Sequence, residues 1–196
     1  MRPGPTKNFD PQEALQRARN LFWKRGYDGT AISELESELG VGRKSLYDTF
    51  GSKRELYLRS IEQYTATVIQ KICDGLADPR TGPLENIERV LLKLRRHHGS
   101  PDSLGCLLGV AMAQIESGDD ELAGLLRRYL HQLELAFERT LRAAQKDGSV
   151  QADARPKDLA RYLVALTQGM ALMGRVTETP TIQRSIVRAA LLTLKA

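Results

Sequence analysis

One short segment of the sequence carries side chains that suit nucleic-acid recognition. Leu46 and Phe50 stand four residues apart and predict the buried side of a short helix. The opposite side of that helix then carries polar side chains, namely Arg43, Lys44, Tyr47 and Asp48. Cations suit phosphates and guanine, a phenol suits a phosphate, and an acid suits the amino group of cytosine. The segment predicts a helix that reads the major groove of DNA, and the alternative is an ordinary solvated face.

The residues before this helix predict a second helix and a tight turn, which together form a helix-turn-helix at about residues 31–50. Thr30 is a suitable N-cap for the second helix, and Gly40 ends that helix. Gly42 lies in the turn, and Gly51 ends the third helix. The two helices therefore have the lengths and the glycine-containing turn of a DNA-binding unit.

Capping signals recur along the chain and predict an all-α protein of about nine helices. Asp10-Pro11 opens the first helix, and Ser52 with Glu55 forms a capping box at the start of a long fourth helix. Later helices are predicted to start at Ser100-Pro101, Asp119, Pro156 and Pro180. The helix that starts at Ser100-Pro101 is predicted to run through Met112 to about residue 116. No alternating strand pattern competes with these helices.

Length and composition restrict the class of protein. The chain has 196 residues and two cysteines, and 29 Lys plus Arg against 24 Asp plus Glu give a net charge of +5. This excess is too small to indicate a nucleic-acid partner by itself, whereas a hydrophobic content of 41% suits a globular core. The longest nearly apolar run, residues 104–113, is far shorter than the roughly 20 residues that span a bilayer. Since no secretory signal is recognisable either, we expect a cytoplasmic protein without membrane contact.

Two motifs that each begin with glycine stand out in the first third of the chain, GYDGT at residues 26–30 and GVGRKSLYDTFGSK at residues 40–53. With their surroundings they closely resemble the TetR/AcrR family of bacterial transcriptional regulators. The resemblance implies a three-helix DNA-binding domain at residues 8–67 and an all-α effector-binding and dimerisation domain at residues 68–196. It also implies a homodimer on a palindromic double-stranded operator, and a repressor that releases the DNA when a small effector binds.

The resemblance further implies roles for individual residues. Thr30 would cap the second helix and help to hold a phosphate, and Lys53 would bind a backbone phosphate at the start of the fourth helix. The residues in the groove would be Arg43, Lys44, Ser45 and Tyr47. Lys44, Asp48 and Thr49 depart from the commoner family pattern, which leaves the operator sequence open. Asp48 either reads a base or forms an ion pair with Lys44.

Two apolar stripes near the end of the sequence predict the contact of the homodimer. The helix at about residues 156–174 carries Leu159, Tyr162, Leu163, Leu166, Met170 and Met173. The helix at about residues 180–195 carries Ile182, Ile186, Ala189 and the run Leu192, Thr193 and Leu194. Packing within the monomer is the alternative for most of these side chains. The family resemblance favours a four-helix bundle formed by two chains.

An effector pocket is predicted where apolar and methionine side chains concentrate, at Cys106, Leu107, Met112, Leu166, Met170 and Met173. Ordinary core is the alternative, and the expected effector is small and apolar. Cys106 lies near the predicted helix start at Ser100-Pro101, with His97 and His98 upstream, a setting that favours a reactive thiolate. The pattern allows a sensor of electrophiles or oxidants, or an inert buried thiol.

Two other functions compete with a regulator. An architectural protein would bind DNA without responding to an effector. A small enzyme would use Cys106 with His97 or His98, but adjacent histidines point about 100° apart on a helix and chelate a metal poorly. No catalytic motif and no phosphate-binding loop is recognisable. We therefore expect neither enzyme activity nor a bound cofactor or metal.

Overall fold

The computed structural model describes residues 9–176 and 181–195, most of which are helical. The helices are α1 (Pro11–Arg25), α2 (Ile32–Leu39), α3 (Arg43–Phe50), α4 (Lys53–Tyr64), α5 (Gln70–Leu76), α6 (Pro83–His98), α7 (Leu107–Ala113), α8 (Asp120–Lys146), α9 (Pro156–Met173) and α10 (Thr181–Leu194). A π-helical segment, Thr65–Ile69, joins α4 to α5 without a break. With α4 to α5 counted as one run, the described residues contain nine helical runs and no strand, which confirms the predicted all-α fold.

Four helices, α1, α4, α8 and α9, begin where a cap or a first-turn proline was predicted. The carboxylate of Asp10 accepts a hydrogen bond from the amide of Gln12 at 2.8 Å, at the start of α1. The carboxylate of Asp119 caps α8 in the same way, and α9 begins at Pro156 as predicted. The predicted start of the last helix at Pro180 lies outside the described residues.

The helix start predicted at Ser100-Pro101 is wrong. Residues 101–106 are not helical, and α7 begins only at Leu107 and ends at Ala113. The amide of Ser103 donates to the carbonyl of Ser100 at 3.0 Å, so the serine-proline pair forms a turn, in which proline is equally favourable. Gly105 then adopts a left-handed conformation with φ of 73°, which a helix cannot continue through.

The chain divides into two compact units, and the first contains residues 1–66. Its described part consists of α1 to α4, and all four helices contribute to its core. The ring of Phe22 meets the ring of Tyr57 edge-on, with ring centres 5.1 Å apart. The buried core side chains include Ala18, Phe22, Leu35, Leu46, Phe50, Leu56, Tyr57 and Ile61. This shared core fixes the positions of α2 and α3.

The second unit contains residues 67–196 and is built on α5 to α10. The long helix α8 packs along α9 and also contacts α6. The hydroxyl of Thr140 on α8 donates to the carbonyl of Leu76 at 3.1 Å, which ties α8 to the end of α5. An isolated backbone bridge joins Val150 to Lys195. The core includes Leu76, Ile87, Leu91, Phe137, Leu141, Leu163, Met170, Val187 and Leu194.

Candidate nucleic-acid interface

The recognition helix predicted from the sequence, α3, has one buried and one exposed side. Leu46 and Phe50 lie in the core of the first unit, as predicted. The other side exposes every α3 residue that was predicted to contact DNA, namely Arg43, Lys44, Ser45, Tyr47 and Asp48. Tyr47 is 39% exposed, so its phenol can reach a partner in solution. The structure therefore brings the predicted groove residues together on one surface.

The turn between α2 and α3 sets the direction in which this surface faces. Gly40 ends α2 with φ of 67°, a left-handed conformation that glycine adopts without steric cost. The amide of Val41 donates to the carbonyl of Glu36 at 3.2 Å, and the Val41 side chain is buried. The turn is therefore fixed both by a hydrogen bond and by burial, and it holds α3 in a defined position.

Arg43, the first residue of α3, forms an ion pair with α2. Its guanidinium nitrogen lies 3.2 Å from a carboxylate oxygen of Glu36. Both side chains reach solvent, so the pair contributes at most about 1 kcal/mol to folding. A guanidinium has five N–H groups, and this contact uses only part of that capacity. Arg43 can therefore still donate to a phosphate or to a guanine edge.

The charges of Lys44 and Asp48 face solvent without neutralising each other. Within residues 9–176 and 181–195, neither side chain takes part in an ion pair. The predicted ion pair between Lys44 and Asp48 is therefore absent. Contact of Asp48 with a base stays a prediction, and its carboxylate would repel phosphates.

Lys53 lies at the start of α4, where a phosphate contact was predicted. Its ammonium lies 4.3 Å from the centre of the Tyr27 ring, a cation–π arrangement. The guanidinium of Arg54 lies 5.9 Å from the same ring. Tyr27 thus gathers two cations at the helix N-terminus, where the backbone dipole also attracts anions.

The predicted capping box at the start of α4 is confirmed. The hydroxyl of Ser52 accepts a hydrogen bond from the amide of Glu55 at 3.1 Å, and the carboxylate of Glu55 accepts one from the amide of Ser52 at 2.7 Å. Gly51 precedes this box with φ of 83°, and a Cβ atom there would collide with the Glu55 carboxylate. The motif glycine is therefore needed for both the turn and the cap.

The predicted capping role of Thr30 is wrong. Its side chain is fully buried, and its hydroxyl donates to the carbonyl of Gly26 at 2.7 Å. The N-cap of α2 is Ala31, whose amide donates to the carboxylate of Glu34 at 2.9 Å. Because a fully buried hydroxyl offers no surface to DNA, the implied phosphate contact does not suit Thr30 either. Thr30 instead closes the turn that follows α1.

Two residues of this surface were given no role from the sequence. Tyr27 belongs to the first motif, yet its contact with Lys53 joins residues that are distant in the chain. Glu36 pairs with Arg43 across the turn, so no periodicity within one helix links the two. A glutamate that precedes a recognition-helix arginine by seven residues could have suggested this pair, but only with the turn geometry known.

The six residues of the predicted effector pocket lie on or next to α7 and α9. Leu107 and Met170 are fully buried, and Met170 belongs to the core of the second unit. Met173 is 39% exposed. A cavity of about 430 Å³ lies between α5 and α6, and none of the six residues lines it. The pocket inferred from these six residues stays a prediction.

The environment of the two cysteines restricts their chemistry. Both thiols are free. Cys106 is 5% exposed and stands just before α7, so a reagent can reach it only if the structure opens. Burial raises the pKa of the Cys73 thiol, which keeps it protonated. The sensor role considered for Cys106 stays a prediction.

His98, at the end of α6, is buried. Burial, with a smaller effect from the adjacent His97, lowers the pKa of His98 to about 4. Its ring centre lies 5.1 Å from that of His97. The imidazole is therefore neutral near pH 7. Among the described residues, no group of three or more His, Cys, Asp or Glu side chains could hold a metal ion.

The two apolar stripes predicted at the dimer contact divide between core and surface. Leu163, Met170 and Leu194 are fully buried within the chain, which agrees with the alternative that these side chains pack within the monomer. The outer faces of α9 and α10 nevertheless expose large apolar side chains, namely Tyr162, Leu172, Met173, Ile182 and Leu192. Val176, just after α9, is 81% exposed. We call this set the outer apolar face.

Comparisons with known proteins agree with the geometry of α2 and α3. Residues 14–59 match the family model of bacterial regulatory proteins of the tetR family, and residues 84–190 match the model of the tetracyclin repressor-like C-terminal domain. No helix among the described residues is long and apolar enough to cross a membrane. The chain belongs to the tetR family and is a DNA-binding transcriptional regulator.

Individual relatives cover most of the chain. An uncharacterized HTH-type transcriptional regulator of Bacillus subtilis, YezE, is 32% identical over 178 residues, which are 89% of this chain and 90% of the relative. The HTH-type transcriptional repressor BdcR of Escherichia coli is 30% identical over 132 residues, 67% of this chain and 66% of the relative. A cysteine mutant of the regulator CifR, solved with 26-bp double-strand operator DNA, has a TM-score of 0.84 at 25% identity and covers 97% of this chain and 98% of its own.

Proposed function

We propose that this chain is a ligand-responsive repressor that binds a palindromic double-stranded operator as a homodimer. Residues 8–67 bind the DNA, and residues 68–196 bind the effector and form the dimer. The observation that carries the proposal is the exposed face of α3, which presents Arg43, Lys44 and Tyr47 together. The relative BdcR is itself named a repressor, which supports repression rather than activation.

The exposed face of α3 suits both kinds of DNA contact. Arg43 and Tyr47 stand four residues apart on one side of the helix, so both can enter the same groove. Arg43 is the first residue of α3, and the N-terminal residues of a recognition helix are those that reach base edges. Lys44 and Lys53 supply positive charge for phosphates, and such contacts fix the register but read no sequence.

The outer apolar face supports the homodimer. Large apolar side chains grouped on two packed helices are uncommon on the surface of a monomer unless they form a contact. A second copy of α9 and α10 would complete a four-helix bundle and remove these side chains from water. A twofold dimer also accounts for a palindromic site, with half-sites about 34–36 Å apart.

Release of the operator requires a connection between effector and DNA. Residues 53–76 are helical throughout, and the π-helical segment Thr65–Ile69 interrupts their α-helical hydrogen bonding. Single π turns recur at functional sites in helices. In our proposal, an effector bound in the second unit moves this run and changes the spacing of the two recognition helices, which then no longer fit adjacent grooves.

The experiment is a fluorescence anisotropy titration of an operator duplex obtained by selection. We expect Arg43→Ala and Lys44→Ala each to weaken specific binding by about tenfold, as the loss of one base or phosphate contact does. Lys157→Ala, which removes an exposed lysine from α9, is the matched control. Unchanged affinity in both α3 variants would contradict the proposal. Operator binding that no ligand weakens would favour the architectural alternative.

A further inference from the structure

The cavity between α5 and α6 has an apolar floor. Its volume of about 430 Å³ falls in the range of small-molecule sites, about 300–1,000 Å³. The apolar side chains come from both helices and from the end of the π-helical segment, and they are Val68, Ile72, Val90, Leu92 and Leu94. Gly75 adds backbone without a side chain, and a Cβ atom there would lie 3.1 Å from Val90. We call this cavity the α5–α6 groove.

The rim of the α5–α6 groove carries positive charge from both helices. The side chains are Lys71, Arg89, Lys93 and Arg96, and no Asp or Glu lines the groove. Arg89 is already engaged, since it lies 3.4 Å from the carboxylate of Asp78 and 3.0 Å from the hydroxyl of Thr81. Lys71, Lys93 and Arg96, in contrast, form no ion pair with any described residue.

The free cations line the groove from opposite sides, Lys71 on α5 and Lys93 and Arg96 on α6. The loop at residues 77–82 returns the chain from α5 into α6, and Gly75 lies against Val90. Early residues of α5 therefore lie beside late residues of α6, which places Lys71 at the same end as Arg96. From position 89 to position 97, α6 spans about 12 Å at 1.5 Å per residue. The groove thus combines cations on both helices with apolar side chains along a length that suits a medium alkyl chain.

We propose that the α5–α6 groove binds an amphipathic anion, whose head contacts Lys71, Lys93 and Arg96 and whose alkyl tail lies on Val90 and Ile72. Cations without partners around an apolar floor complement such a ligand, whereas a neutral apolar molecule leaves their charges unused. As an effector site, the groove rests on the ligand-responsive role proposed above. This ligand is charged, unlike the apolar effector expected from the sequence.

The test is isothermal titration calorimetry of the full chain without DNA, with decanoate as the probe below its micelle concentration. Decyl sulfate offers a different anionic head, decanol removes the charge, decyltrimethylammonium reverses it, and acetate removes the tail. We expect one anion per chain, bound at least about tenfold more tightly than decanol or acetate. The tighter of the two anions identifies the preferred head group. Equal binding of decanol, of acetate or of the cation would overturn the proposal.

Variants assign the binding to this groove. The double variant Lys71→Gln/Lys93→Gln is expected to weaken decanoate binding at least about tenfold. Lys146→Gln/Lys157→Gln removes the same charge from exposed positions outside the groove and is expected to bind as the wild type does. Equal affinity in the two double variants would place the anion elsewhere. Because no DNA is present, a failure to bind decanoate says nothing against operator binding. A failure to bind the operator likewise says nothing against decanoate binding.

Discussion

The guanidinium of Arg43 and the carboxylate of Glu36 lie 3.2 Å apart across the turn of the helix-turn-helix. The cation that is best placed to enter the groove is thus held by α2 before DNA arrives. This pair couples the recognition helix to its supporting helix. It also puts a negative charge next to the surface that must approach phosphates.

Removal of that negative charge is expected to strengthen DNA binding. Glu36→Gln frees the Arg43 guanidinium and removes a repulsion of phosphates, so we expect the affinity for duplex DNA to rise about two- to tenfold at low salt. Anisotropy titrations measure this change. Glu38→Gln removes the same charge from an exposed position of α2 without touching Arg43, and a smaller gain is expected. A loss of affinity in Glu36→Gln would mean that the pair orients Arg43 for binding.

Thr30→Val tests whether the buried hydroxyl acts on folding or on DNA. The variant loses the 2.7 Å hydrogen bond to the Gly26 carbonyl while it keeps the side-chain volume, so we expect the free energy of unfolding to fall by about 1–2 kcal/mol. Urea denaturation measures the loss. Operator affinity per folded chain is expected to stay within twofold. A tenfold drop would instead support a phosphate contact by Thr30, which its burial argues against.

The buried His98 predicts a pH-dependent stability. Its pKa is about 4 in the folded chain and about 6.5 when unfolded, so the unfolded state takes up the proton first as pH falls. The contribution of neutral His98 to the free energy of unfolding is fully present above pH 6.5 and is lost as pH falls towards 4. We expect a loss of about 2 kcal/mol between pH 7 and pH 5, measured by urea denaturation. His98→Phe should lack this part of the pH dependence, and identical slopes would contradict the assignment.

The outer apolar face predicts which substitutions separate the dimer. Leu192 is 68% exposed on α10, so Leu192→Glu should leave the fold of the chain intact and place a charge in the contact. Sedimentation equilibrium is expected to show a dimer for the wild type and a monomer for the variant at micromolar concentration. Thr181→Glu, at a position of α10 that is also exposed but polar in the wild type, is the matched control. If the Leu192→Glu variant is still a dimer, the outer apolar face is not the dimer contact.

The sequence predicted the fold well because most of its signals are local. The caps at Asp10 and Asp119 and the buried side of α3 depend only on nearby residues, and all three are confirmed. Ser100-Pro101 failed because a cap followed by proline also suits a turn, and the left-handed Gly105 decided between them.

The site was predicted less completely, since its contacts join separate elements. Exposure of the α3 residues followed from helical periodicity, but the pairing of Arg43 with Glu36 depends on the turn between two helices. Likewise, the burial of Thr30 depends on how the chain leaves α1. The α5–α6 groove has no signature in composition, because its cations are spaced along two helices that only the fold brings together.

The most direct test of the central claim is selection of binding sites from a random duplex library at physiological salt, followed by anisotropy on the enriched sequence. If α3 reads bases in a homodimer, a palindrome with half-sites one helical turn apart is enriched and bound at nanomolar affinity. Binding that depends on salt but not on sequence would mean that Arg43, Lys44 and Lys53 only hold phosphates, and it would contradict the account.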